Sequence, residues 1–182
     1  MDASMNGHGR VPHPHTMSTD TDDWTIREGR NFVMAQSRRP GSHKCLLCHR
    51  EVKEYHLHIR SEMAEFIVRF ALYSQAHPEQ EWIHVPTFKT HTPRIHGGEW
   101  GGDFGKLQHW GLLEEQGGVR ADGSSRVGYW RITQLGHQYA LGRVAVPYTK
   151  VVLCGEVKDT IGPDKRINEV RNFQYDELMA NM

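Results

Sequence analysis

The chain has 182 residues, 22 Lys and Arg against 22 Asp and Glu, a formal net charge of zero, and 37% hydrophobic residues. That length suits one ordinary domain with a small appendage, and the charge balance argues against a protein that coats nucleic acid through overall basicity. No apolar run has the length of a membrane span and no signal-peptide core is visible, so the expectation is a soluble, cytoplasmic protein with no membrane partner.

Residues 1–22 are small, polar and rich in His, Pro and Gly. With so little apolar surface to bury they read as a disordered tail. A short helix is expected from Trp24 to Ala35, broken by the Arg38-Arg39-Pro40-Gly41 stretch. The whole segment 23–60 is read as an N-terminal unit built around cysteine and histidine.

Its chemistry lies between Lys44 and Arg60. Three cysteines in all, with Cys45 and Cys48 as a close Cys-x-x-Cys pair, point to a reducing compartment and to metal or redox chemistry rather than a disulfide framework. No thioredoxin-like pattern surrounds the pair. Two thiolates at this spacing can grip one Zn²⁺, and a tetrahedral site needs two further ligands. His56 and His58, eight and ten residues beyond Cys48, alternate on an extended strand and so share a face. The expected zinc set is Cys45, Cys48, His56 and His58, in a compact knuckle, with His49 as the competing donor. The linker is too short for a complete ββα finger.

The next element shows the clearest periodicity in the chain. Met63, Phe66, Ile67, Phe70 and Ala71 recur at i, i+3, i+4, i+7 and i+8, which predicts an amphipathic helix ending near Gln75. Ser61 is its expected N-cap, with Glu62 and Glu65 favourably placed in the first turn. Glu81 to Val85 reads as a short strand or turn. A second helix is predicted over Gly102–Trp110, with Phe104, Leu107 and Trp110 on one face and Gly111 as its C-terminal stop. Two short strands around the Asp122-Gly123 turn read as a hairpin. Thr133 is the expected cap of a short helix through Tyr139. Val151 to Cys154 reads as a buried strand, and Asn168 to Met179 as a terminal helix.

The stretch Phe104-Gly-Lys-Leu-Gln-His-Trp-Gly-Leu-Leu-Glu114, followed by Gly128-Tyr-Trp-Arg-Ile-Thr-Gln-Leu-Gly136, resembles the winged helix-turn-helix pattern. In that pattern a recognition helix ends at Trp-Gly-Leu-Leu-Glu and the wing returns through Tyr-Trp-Arg-Ile-Thr. Residues 45–179 also resemble uncharacterised phage-encoded proteins that combine a Cys-x-x-Cys segment, the same helix end, and a tail like Phe173-Gln-Tyr-Asp-Glu-Leu-Met179. The resemblance implies an α+β fold, a winged helix-turn-helix over 61–158 preceded by a small zinc-knuckle segment, with a helical extension over 159–182.

In DNA-binding winged helices the second helix of the turn enters the major groove and the wing touches backbone or minor groove. Carried onto this chain, the DNA-binding residues would be Lys89, Arg94, Lys106, Gln108, His109, Arg120 and Arg126. Glu99, Asp103, Glu114 and Glu115 flank the same surface, and they favour the alternative of a non-enzymatic module that inhibits or recruits a host protein. An enzyme is not expected. A histidine-metal nuclease needs a later Asn or His at suitable spacing; no asparagine occurs between Ile59 and Ile167, and the later His84, His91 and His96 fall in the approach to the expected recognition helix. No serine nucleophile elbow, phosphate-binding loop or paired-carboxylate site is visible. The expectation is thus a zinc-containing DNA-binding protein, a phage or bacterial regulator or accessory factor, acting on double-stranded DNA.

Overall fold

The computed structural model describes residues 24–36, 43–44, 51–95, 98–119, 122–124 and 128–181. The expected tail, Cys45, Cys48, His49, Arg120 and Arg126 lie outside the described residues. The chain divides into two compact units, Met1–Lys53 and Glu54–Met182.

In the first unit, helix α1 spans Ile26–Gln36. A reciprocal pair starts it: the Glu28 amide donates to Thr25 Oγ1 at 3.3 Å, and the Thr25 amide donates to Glu28 Oε2 at 2.8 Å. This is the capping-box arrangement, which satisfies two otherwise orphaned donors. Trp24 packs edge-on against Phe32, with ring centroids 4.9 Å apart. Strands β1 (His43–Lys44) and β2 (Glu51–Val52) pair antiparallel, with Lys44 opposite Glu51.

The second unit is mixed α+β with two small antiparallel sheets. Its order is β3 (Tyr55–His58), α2 (Ser61–Ala76), β4 (Ile83–His84), α3 (Val85–His91), a 3₁₀ helix (Asp103–Trp110), β5 (Leu113–Glu115), β6 (Tyr129–Ile132), α4 (Gln134–Ala140), β7 (Val146–Leu153), β8 (Glu156–Lys165) and α5 (Tyr175–Ala180). One sheet runs β3-β7-β8 and the other β4-β6-β5. The apolar stripe read from the sequence puts Met63, Phe66, Ile67 and Phe70 in the core, each at most 1% exposed. Phe66 is the hub. Phe70, Phe88, Trp100 and Phe104 all lie within 5.6 Å of it, centroid to centroid.

Several boundaries differ from expectation. Ser61 is not the cap of α2: Arg60 holds that position, without a side-chain cap bond, and Ser61 is the first helical residue. Helix α3 was not expected. Pro86 sits in its first turn, where a missing N–H costs nothing. The predicted helix 102–110 is a 3₁₀ helix, consistent with the Gly102 and Gly105 that weaken an α-helix there. Cys154 was expected buried in a strand. It is exposed, at φ +51°, in the turn with Gly155 that joins β7 to β8. Strand β8 itself continues to Lys165, where the sequence suggested the start of a helical extension.

The junction after the 3₁₀ helix follows the expected grammar. Gly111 stops it in the left-handed region, at φ +69°. Thr133 caps α4 by accepting the Gly136 amide at 2.9 Å, and its hydroxyl donates to the Gly111 carbonyl at 2.7 Å. One side chain thus ties the start of α4 to the end of the 3₁₀ helix. Gly136 is required there: a Cβ would lie 2.2 Å from the Leu112 carbonyl oxygen and 2.7 Å from an Ile132 side-chain carbon. Backbone cannot yield as a flexible side chain can. Gly136→Ala is expected to cost about 2–3 kcal/mol, read as a lowered urea midpoint with unchanged slope; an unshifted midpoint would show that α4 does not press on Leu112.

Candidate nucleic-acid interface

A long connection, 92–102, leads from α3 to the 3₁₀ helix that carries Lys106, Gln108 and His109. Two glutamates of α2 hold it. Glu65 is only 5% exposed, and its Oε1 accepts the Ile95 amide at 2.8 Å. Its other oxygen faces Arg94 Nε at 3.4 Å, and Arg69 lies 3.5 Å from Oε1. One turn earlier, Glu62 Oε1 accepts the Gly101 amide at 2.6 Å. The Trp100 indole donates to the Thr92 carbonyl at 2.7 Å, closing the connection on itself.

Lys89, on α3, points into this framework. Its ammonium donates to the Gly101 carbonyl at 2.9 Å and to the Trp100 carbonyl at 3.4 Å, and it sits 4.6 Å from the centroid of Phe104. Burial holds its pKa below the ordinary lysine value, against the pull of Glu62. Arg94 is occupied by Glu65 and lies over Trp100, 5.7 Å from the ring centroid. Both cations therefore brace the scaffold. Lys106 projects from the 3₁₀ helix and pairs with Asp103 Oδ1 at 2.7 Å. Gln108 is exposed, and His109 is half-buried.

These residues border a groove of about 610 Å³ between α3, the 3₁₀ helix and β6. Val85, Pro86, Phe104 and Trp130 form its apolar wall, while Lys89, Lys106, Gln108, His109 and Glu115 supply polar groups. Of the expected DNA-binding set, the structure brings Lys89, Lys106, Gln108 and His109 to this groove. Arg94 faces the C-terminal segment, bordering a smaller cavity with Phe173 and Gln174. On the outer face of the second sheet, Arg131 binds both Glu114, at 2.6 Å, and Glu81, and lies 4.6 Å from the centroid of Trp82.

His56 and His58 are exposed residues of β3, opposite Val151 and Thr149 of β7. His58 Nδ1 lies 2.9 Å from Thr149 Oγ1, and its ring stacks on Tyr148 at 4.9 Å. Among the described residues, no three His, Cys, Asp or Glu side chains gather as a metal-holding group. Sequence reasoning read Glu62 and Glu65 as first-turn acids and Asp103 as a flanking acid, without their distant partners, and missed Arg60; the Asp103-x-x-Lys106 spacing on a short helix was the signal for that one pair. Among the described residues no helix is long and apolar enough to cross a membrane. The chain matches no protein-family model, no curated protein and no solved structure.

Two outcomes follow from this geometry. Glu65→Ala leaves the half-buried Arg94 and the Ile95 amide without their acceptor and Arg69 without its ion-pair partner. Breaking a buried pair in this way costs about 3–5 kcal/mol, expected as a large fall in melting temperature and faster amide exchange at Ile95. A change below about 1 kcal/mol would remove Glu65 as the anchor. The second concerns pH. Burial, with help from Lys106, holds the His109 imidazole below its ordinary range, and burial does the same at His137. A depressed imidazole takes up its proton more readily in the unfolded chain. Its contribution to stability is complete above the ordinary value near 6.5 and is lost as pH falls below it. Unfolding free energy should therefore drop between about pH 7 and 5, with a flatter profile in the His109→Gln, His137→Gln double variant. Identical profiles would refute the assignment.

Proposed function

We propose that residues 61–158 are a winged helix-turn-helix that docks on double-stranded DNA, in a protein acting as a regulator or accessory factor. The order of elements carries the reading. Helix α2, strand β4, helix α3, the 3₁₀ helix, β5, the connection 116–128 and β6 follow the helix-strand-helix-helix-strand-wing-strand order of that fold. Strand β6 lies between β4 and β5, as the returning wing strand does. In this reading the 3₁₀ helix presents Lys106, Gln108 and His109 to the duplex, and Arg120 and Arg126 belong to the wing. Lys106, Gln108 and His109 line the groove beside Trp130.

One observation favours a protein partner instead. Lys89, Arg94 and Lys106 each already hold an acceptor within the chain. A surface whose cations already donate within the chain attracts phosphate less. Fluorescence anisotropy with a random duplex separates the two readings. Two or three phosphate contacts should give binding at about 50 mM salt that weakens about ten- to forty-fold at about 200 mM. No binding at the lower salt would reject DNA and leave the protein-interaction reading.

The metal proposal rests on Cys45 and Cys48 as a thiolate pair for Zn²⁺. The β1–β2 ladder brackets the stretch that carries them. His56 and His58 are the proposed further donors. Thr149 Oγ1 engages Nδ1 of His58 and leaves Nε2 as the ring nitrogen for a metal, the way a partner at one ring nitrogen orients the other. Elemental analysis of the purified chain should find one zinc, lost in the Cys45→Ser, Cys48→Ser variant and reduced when His56 and His58 are replaced. A zinc-free wild-type chain would end this proposal.

A further inference from the structure

We propose that Arg60 and Lys106 are the phosphate-contacting pair of the DNA surface, and that Asp103, which holds both, sets its affinity as an internal competitor for phosphate. This rests on the DNA reading above. Asp103 is the first residue of the 3₁₀ helix, and Arg60 immediately precedes α2, 43 positions earlier. Arg60 Nη1 donates to Asp103 Oδ2 at 3.3 Å, while Lys106 Nζ donates to Oδ1 at 2.7 Å. Residues three apart eclipse one another on a 3₁₀ helix, so Lys106 falls naturally over Asp103.

Each carboxylate oxygen has one cation, and the triad carries a net positive charge. The other cations here differ. Lys89 is turned inward to two carbonyls, Arg94 is half-buried against Glu65, and Arg131 is shared by two carboxylates. Glu62 of α2 has an oxygen on the Gly101 amide. Arg60, with 72% of its side chain exposed, uses one guanidinium donor on Asp103, and Lys106, at 40%, uses one of its three.

A phosphate oxygen accepts from the same donors in the same way as a carboxylate. Exposed ion pairs are weak, so phosphate can share or take these cations. Asp103 then stands beside it as a like charge, which weakens the contact without abolishing it. Removing that charge should strengthen binding, and removing either cation should weaken it. A merely structural Asp103 would give the opposite sign, because losing it would loosen the start of the 3₁₀ helix.

The test uses the full chain and a labelled random duplex in low salt. Asp103→Asn is expected to bind about three- to ten-fold tighter at about 50 mM salt, with a steeper salt dependence. The gain should disappear when Arg60→Ala and Lys106→Ala are added. Asp176→Asn, on α5, changes net charge equally and should leave affinity unchanged. Arg60→Ala alone should weaken binding and lower the salt slope by about one; this variant decides the matter if Asp103→Asn fails to fold. A wild-type chain that binds duplex while Asp103→Asn binds equally or less tightly would overturn the competitor role and leave the DNA reading intact. An equal gain in Asp176→Asn would reduce the effect to net charge and overturn it too. If neither wild type nor Asp103→Asn binds, both proposals fall.

Discussion

A carboxylate taken out of water must be met by donors, and Glu65 meets that requirement with pieces that are far apart in sequence. From near the start of α2 it accepts the Ile95 amide and faces the guanidiniums of Arg69 and Arg94. Removing any one partner would leave a buried charge only partly compensated. The connection 92–102 is otherwise rich in glycine, and its described residues form no helix or strand. With its start fixed by Glu65 and its end by Glu62, it delivers Asp103 and Phe104 at a defined place on α2. The position of the whole 3₁₀ helix, and so of Lys106, Gln108 and His109, depends on those two glutamates.

Packing then makes the placement rigid. Phe104 stacks on Phe66 with centroids 4.5 Å apart and meets Trp130 edge-on at 5.4 Å, joining the 3₁₀ helix to both α2 and β6. At the far end, the Trp110 indole donates to the Pro147 carbonyl of β7 at 2.7 Å. Gly111 reverses the chain, and Thr133 links that reversal to the next helix. A face whose backbone is fixed at both ends suits a contact surface, since little ordering entropy remains to be lost on binding.

The parts of this architecture that were legible in the sequence are those governed by local rules. The stripe on α2 follows from helical period, the stop at Gly111 from its left-handed backbone, and the cap at Thr133 from its short hydroxyl side chain. Helix α3 was hidden because it is a single short element opening at Pro86, with two buried residues and no second turn of apolar spacing. Strand β8 was hidden because its residues are almost all exposed, so no alternation marks it. The interface was half legible. Lys106, Gln108 and His109 could be read from the helix face, but Lys89 and Arg94 are turned to internal acceptors, and Arg60 joins Asp103 only through tertiary folding. Glu62 and Glu65 looked like ordinary first-turn acids. Only the position of a distant loop gives them their partners.

DNA docking through the 3₁₀ helix is tested most directly by amide chemical-shift mapping of the ¹⁵N-labelled full chain during titration with a short duplex in low salt. The expected result is a set of salt-sensitive shifts concentrated at Arg60, Lys106, Gln108 and His109 and along β5 and β6. An unchanged spectrum, or shifts confined to the β7–β8 hairpin, would contradict it.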